Sequence, residues 1–204
     1  MKIKPVCPFS FGANTYLLIS GTHALAVDPS TSVDAILSAT SEFGATLDGI
    51  LLTHGHFDHV ISLDTLRAAV NIPAYIHECD AEMLTNGEKN ASALFFGMPR
   101  TWKSAEITLG GGDTVTLGDE QIRVIHTPGH TPGSVCYDCG DFLLTGDTLF
   151  SNSIGRCDLP GGDESLMRQS LALLRRFPPS TTIYAGHGEP ARLSDALDNA
   201  AYYL

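Results

Sequence analysis

The segment Thr53-His-Gly-His-Phe-Asp-His59 constrains this chain more than any other. Three histidines and one aspartate fall within six residues, directly after the apolar run Gly49–Thr53, which reads as a buried strand. The whole chain has eight histidines, so three in one hexapeptide is a local excess that chance explains poorly. Imidazole and carboxylate are donors suited to zinc, iron or manganese. The fold must therefore carry a strand end to a centre that distant parts of the chain can also reach. Gly55 is expected to bend the loop so that side chains two and four apart converge.

Three later positions can complete such a centre, each expected at a strand-to-loop junction and each preceded by glycine. They are His130 in His126-Thr-Pro-Gly-His-Thr-Pro-Gly133, Asp147 in Thr145-Gly-Asp-Thr148, and His187 in Ala185-Gly-His-Gly188. With His54, His56, Asp58 and His59 they make five histidines and two aspartates. That set fits two metals, each with an open position, sharing Asp147 as a bridge. Any one of the later residues alone would more often be structural; together they carry weight.

The rest of the chain alternates β and α in its first half. Asn14–Ser20 and His23–Val27 read as an opening hairpin through Gly21, followed by a helix over Ser32–Phe43, the strand before the histidines, a helix over Val60–Val70 and a strand over Ala74–His77. Residues 78–112 read as a surface excursion whose Phe95, Phe96, Met98 and Trp102 either line a pocket or fill a gap in the core. Short strands follow at Thr114–Leu117, Gln121–His126, Ser134–Tyr137 and Phe142–Thr145, then a helix over Glu164–Phe177, a strand over Thr181–Ala185 and a helix from Leu193. Two packed sheets with helices outside accommodate this order.

The length, 204 residues, suits a single α/β domain spanning residues 1–204. A net charge of −11 opposes nucleic-acid binding, and no apolar run is long enough to span a bilayer. The start of the chain lacks a secretory pattern, and the odd cysteine count (Cys7, Cys79, Cys136, Cys139, Cys157) suggests a reducing compartment, so a cytoplasmic location is expected. Cys136-x-x-Cys139 reads as a strand end and its turn rather than a redox or zinc motif.

The ligand pattern as a whole resembles the metallo-β-lactamase-fold hydrolase superfamily. Thr127-Pro-Gly-His-Thr-Pro-Gly-Ser134, Thr145-Gly-Asp-Thr-Leu-Phe150 and Gly155-Arg-Cys-Asp-Leu-Pro-Gly-Gly-Asp163 resemble its glyoxalase II-like branch, especially the short members named hydroxyacylglutathione hydrolases. The resemblance implies an αββα sandwich of two mixed β-sheets flanked by helices. It implies two zinc ions per chain, with iron or manganese as alternatives: His54, His56 and His130 on the first, Asp58, His59 and His187 on the second, Asp147 between. Full-length glyoxalase II proteins carry a helical C-terminal extension that binds glutathione, whereas this chain ends 17 residues after His187.

The reaction these features lead one to expect is hydrolysis of a small-molecule thioester, S-D-lactoylglutathione or a related hydroxyacyl thioester, by a hydroxide held on the metals, with Asp58 as the catalytic group that holds the water or moves its proton. Alternatives are another ester or lactone, oxygenation of a persulfide at one iron as in the related persulfide dioxygenases, and a non-catalytic metal-binding module. A β-lactamase is disfavoured for want of an export signal. His23, His77 and His126 read as ordinary hydrogen-bonded histidines, with His126 supporting the centre or the fold. Arg156 and Asp158 are expected to form a buried ion pair that props the metal-site loop, the alternative being that they face substrate. Arg168, Arg175 and Arg176 read as the wet face of a helix.

Overall fold

The computed structural model describes residues 1–6, 12–201 and 203; Cys7 lies outside the described residues. Along β1 (Lys2–Val6), β2 (Thr15–Ser20), β3 (His23–Val27), β4 (Thr46–Leu51), β5 (Ala74–His77) and β6 (Ile107–Leu109) the chain builds one sheet, in that spatial order. β1, β2 and β3 are antiparallel neighbours, and β3 through β6 run parallel. A second sheet takes β7 (Thr114–Leu117), β8 (Glu120–His126), β9 (Val135–Asp138), β10 (Phe142–Gly146), β11 (Thr182–Ala185) and β12 (Ala191–Arg192), antiparallel apart from the β10–β11 pair.

Side chains alternate between the two faces of each sheet, and this sorts the interior into three layers. Leu17 and Ile19 of β2 pack outward against α1 (Val33–Glu42) and α2 (Leu63–Val70), whereas Tyr16 and Leu18 point into the layer between the sheets. In the second sheet Phe142 and Leu144 enter that same layer. Leu143 turns the other way, towards the cluster that holds Met167 and Leu171 of α4 (Glu164–Leu174) and Leu193 and Leu197 of α5 (Leu193–Ala200). Helices outside two mixed sheets give the αββα sandwich the sequence predicts.

The helix starts follow capping chemistry. Ser32 Oγ accepts from the Ala35 N–H of α1 and Asp163 Oδ1 from the Leu166 N–H of α4. No helix among the described residues is long and apolar enough to cross a membrane.

Several expectations need correction. A strand, β1, precedes the hairpin read as opening the chain; its Pro5 is tolerated because β1 is an edge strand that need not donate from every position. The predicted helix over Val60–Val70 starts at Leu63, after a 3-10 turn over Phe57–His59. Residues 78–112 are not only an excursion. They contain a 3-10 helix over Glu78–Thr85, the short α3 (Ser92–Phe96) and β6, the last strand of the first sheet. Both readings of the bulky residues there hold for different side chains, since Phe95 borders a cavity and Trp102 packs against the first core layer. The Cys136–Cys139 pair does sit at a hairpin, with Cys136 and Cys139 buried in opposite layers.

Candidate metal centre

The two sheets meet at the centre through specific hydrogen bonds. Val135 N–H donates to the Thr53 carbonyl (2.9 Å), and the buried Tyr137 hydroxyl to the Leu52 carbonyl (2.7 Å). These bonds fix the loop after β4 against the second sheet. Asn14 Nδ2 donates to the Ala185 and Gly188 carbonyls (3.1 and 2.8 Å), and Tyr16 donates its hydroxyl to Ala185 (2.8 Å). The loop bearing His187 is thereby fixed from the first sheet.

All seven residues singled out in the sequence come together here. His54, His56, His59, His130 and Asp147 are buried, and Asp58 and His187 are partly open. Donor atoms of His54, His56 and His130 lie within 4.8 Å of one another, as do those of His54, His59 and Asp147, and those of Asp58, His59 and His187. His56 Nδ1 and His130 Nε2 are 2.8 Å apart, and His59 Nε2 is 3.3 Å from Asp147 Oδ1. On the open side His187 Nε2 is 3.2 Å from Asp58 Oδ2 and 3.5 Å from Asp147 Oδ2. Asp147 thus stands between a group of three histidines and a group holding Asp58, His59 and His187.

These groups fit metal ions. His54 Nε2, His56 Nε2, His59 Nε2 and Asp147 Oδ1 are buried with no hydrogen-bond partner among the described residues. Leaving such an atom unsatisfied costs about 1–3 kcal/mol, and one cation among His54, His56 and His130 with a second among Asp58, His59 and His187 would satisfy His54 Nε2, His59 Nε2 and Asp147 Oδ1. Burial holds His54 well below the ordinary histidine pKa and His56 at about 3, so both are neutral, the form that donates a lone pair. His59 is the reverse case. Burial opposes its protonation, but Asp147, Asp28 and Asp58 outweigh burial and raise its pKa. Burial likewise opposes ionisation of Asp147 and is overcome by His59, leaving this carboxyl far below the usual range. A site that calls so strongly for positive charge suits a divalent cation better than a proton.

A shell of partners orients the ring nitrogens. His59 Nδ1 donates to Asp28 Oδ2 (2.8 Å), which also accepts from Thr53 Oγ1 (2.6 Å), while Asp28 Oδ1 accepts from Thr53 N–H (2.8 Å). His130 Nδ1 donates to the Arg156 carbonyl (2.7 Å). Both arrangements leave Nε2 facing the centre. Asp80, fully buried, accepts from Gly55 N–H (3.1 Å), Thr131 Oγ1 (2.7 Å) and Gly133 N–H (2.6 Å), joining the two histidine loops. Sequence reasoning missed Asp28 and Asp80. The only signal for Asp28 is its place at a strand end before Pro29, which reads as a turn.

Two glycines act by leaving space. Gly55 has no positive φ; a Cβ there would strike the Met83 side chain, so close approach rather than a sharp bend requires it. A Cβ on Gly186 would meet Asp147 Oδ1 and His59 Cε1, inside the ligand cluster.

A cavity of about 370 Å³ opens over the centre. Its walls include Phe57, Phe95, Phe150, Ile154 and Leu159, and among the described residues Arg156 is the one arginine of a lining without lysine. The expected buried ion pair of Arg156 and Asp158 forms, at 2.6 Å, but both side chains are exposed, because their loop lies at the cavity rim rather than under it. His23 pairs with Asp48 at the surface, and His77 and His126 stack on each other with no part in the groups around Asp147. Arg168, Arg175 and Arg176 are exposed, but α4 ends at Leu174, so of the three only Arg168 lies on a helix face.

Comparison with known proteins agrees with this geometry. Residues 10–187 match the pattern of the Metallo-beta-lactamase superfamily. The "Probable metallo-hydrolase YqgX" of Bacillus subtilis (strain 168) is 37% identical over 187 residues, 90% of this chain and 88% of that protein. The crystal structure of the BLEG-1 B3 metallo-beta-lactamase superposes with a TM-score of 0.90 at 34% identity, covering 98% of this chain and 99% of that one. TTHA1623 in a di-iron-bound form superposes with a TM-score of 0.83 at 30% identity, covering 99% of this chain and all of that one.

Proposed function

Because the chain belongs to the metallo-β-lactamase superfamily and is a metallo-hydrolase of that kind, we propose that it hydrolyses a small hydroxyacyl thioester such as S-D-lactoylglutathione. The observation that carries this reading is the placing of the two ligand groups on either side of Asp147, at the floor of a cavity walled by aromatic and aliphatic side chains. His54, His56 and His130 would hold one cation, Asp58, His59 and His187 the second, and Asp147 both. When bound, the pair supplies Lewis-acid polarisation of the acyl carbonyl and lowers the pKa of an attacking water from about 15.7 towards about 7.

The chain's own residues do the remaining work. Asp58 borders the cavity, and although burial opposes its ionisation, His59 and His187 hold its pKa down, so it is an anion able to orient water or accept its proton. Phe57 and Phe150 exclude water around the acyl group, Phe95 gives it apolar contact, and Arg156 at the rim favours a carrier with a carboxylate. A thiolate is a good leaving group and a soft ligand, which suits zinc. Iron is the alternative metal, on the strength of the di-iron relative.

The test is turnover of S-D-lactoylglutathione by freshly purified protein, with metal content measured on the same sample and His54→Ala as control. Turnover abolished in the control supports the reading; no turnover by fully metal-loaded protein rejects that substrate. A second reading, β-lactam cleavage, is favoured by the 34% identity to a B3 metallo-beta-lactamase over nearly the whole chain. A cephalosporin assayed on the same sample decides between them. Oxygen uptake with glutathione persulfide by the iron-loaded protein checks the oxygenase alternative.

A further inference from the structure

Among the described residues, four of the eight exposed large hydrophobic side chains fall within residues 94–98: Leu94 (67%), Phe95 (53%), Phe96 (39%) and Met98 (59%). Single exposed apolar side chains are ordinary, whereas a contiguous group of this kind marks a binding surface. Its backbone is firmly held. Ala91 and Gly97, at the two ends of α3, are both left-handed (φ 66° and 69°). Buried Asn90 donates its Nδ2 to the Met83 and Arg100 carbonyls (2.9 and 3.0 Å), and the buried Ser92 Oγ accepts from Arg100 N–H (2.8 Å). The Asn90 carbonyl accepts from Phe57 N–H (3.1 Å), which ties this turn to the loop of ligand histidines. The foot of the turn is thus fixed by polar bonds and needs no burial of the tip.

The apolar tip is continuous with the cavity over the centre. Phe95 borders that cavity beside Phe57, whose ring meets both Phe95 (centroids 5.2 Å) and Phe96 (4.9 Å, at 72°). The Arg100 guanidinium lies 4.0 Å over the Phe96 ring, so this ring is held between a cation and an aromatic neighbour. No charged side chain occurs in residues 91–98. Arg156 borders the cavity elsewhere, beside His130, whose Nδ1 donates to the Arg156 carbonyl.

We propose that the α3 tip is a platform for the acyl tail: Leu94, Phe95, Phe96 and Met98 select thioesters whose acyl group carries an unbranched apolar tail longer than that of lactoyl. The inference rests on the thioester reading above and narrows its substrate class. A lactoyl group has a single methyl to offer such a surface, and an uncharged, exposed strip beside the cavity wall gives no contact to a charged or strongly polar tail. The five residues of α3 span about 7.5 Å, so a tail of about six carbons runs the length of the turn. One flank of the tail stays wet, and each methylene is therefore worth about twofold in kcat/KM, less than the roughly fourfold of complete burial. The carrier, held by Arg156, and the tail, held by α3, leave the centre along different walls of the cavity.

A series of S-acylglutathiones from acetyl to octanoyl, assayed beside S-D-lactoylglutathione on the metal-loaded full chain, tests this. kcat/KM is expected to climb with tail length, making octanoyl roughly 10-fold or more better than acetyl, chiefly through KM. Leu94→Ser/Met98→Ser alters two exposed tip residues and should lower the octanoyl-to-acetyl ratio by roughly 5-fold, with metal content at the parent level. Leu166→Ser, at an exposed apolar residue of α4 outside the patch, should keep the parent ratio. Turnover of acetyl or lactoyl thioester with no dependence on tail length, or a ratio that the double variant leaves unmoved, overturns the platform while the thioester reading stands. No turnover of any thioester rejects that reading and the platform with it. Light scattering on the same samples addresses a second copy as the occupant: a parent dimer that the double variant dissociates, with the ratio unchanged, makes the patch a contact between chains and overturns the proposal.

Discussion

Asp28 Oδ2 lies 2.8 Å from His59 Nδ1, both side chains buried, although the two residues stand 31 positions apart. The carboxylate fixes the ring's tautomer and increases the electron density at Nε2, which faces Asp58 and Asp147.

Asp28→Asn keeps the shape and removes the charge. It is expected to weaken metal binding about 10–100-fold, with the loss concentrated on the cation held by His59. Titration with zinc against a chromophoric chelator reads this; affinity equal to the parent at both positions would show that the carboxylate is only a fold contact.

Gly186→Ala adds one methyl group where Asp147 Oδ1 and His59 Cε1 already stand. The variant should retain its secondary structure by circular dichroism, yet bind less than half the parent's metal and lose activity by about 100-fold or more, as expected when positioning fails by an ångström. Full metal occupancy in this variant would refute the close-packing account.

Phe95 lies on α3 at the cavity wall, in contact with Phe57 (ring centroids 5.2 Å), and is 53% exposed. Truncation to alanine should raise KM by roughly 10-fold, equivalent to about 1.4 kcal/mol of apolar contact, with kcat little changed. A fall in kcat at constant KM would place Phe95 in water exclusion instead.

The metal-free protein should be most stable near pH 6.5, the ordinary histidine value. His54 and His56 have lowered pKa values in the folded state, so the unfolded chain takes up protons below pH 6.5 that the folded chain refuses, and stability falls towards acid. His59 and His187 are raised, so their contribution is complete below 6.5 and lost as pH rises through their folded values. Asp58 and Asp147 are lowered, and their contribution, present above 3.8, disappears as pH falls through their folded values. Thermal unfolding of chelator-treated protein at several pH values gives the curve; zinc should flatten its alkaline limb, and a monotonic rise towards alkaline pH contradicts the assignment.

The sandwich and the meeting of all seven candidate residues were legible because each signal is local: an apolar run, a turn, a polar donor beside glycine. What escaped was set by distant parts of the chain. Ile107–Leu109 is three residues long and becomes a strand only because β5 offers its free edge. Lys2–Val6 has alternating lysines and a proline, unremarkable until Tyr16 and Leu18 lie beside it. Asp28 and Asp80 are ordinary carboxylates in sequence, and only folding brings Thr53, Thr131 and the histidine loops to them. The rim position of Arg156 and Asp158 depends in the same way on where their loop crosses the cavity.

The donor set is divided between the sheets, with His54, His56, Asp58 and His59 on the loop after β4, and His130, Asp147 and His187 on loops of the second sheet. The hydrocarbon between them, including Val27, Leu51, Val124 and Leu144, therefore acts as a ruler. Its thickness sets how far apart the two sets of donors stand and which ionic radius they accept. Shaving a methylene from that layer is then a change in inorganic chemistry made without touching a polar atom, and selectivity among metals can drift through substitutions that look, residue by residue, like ordinary interior packing.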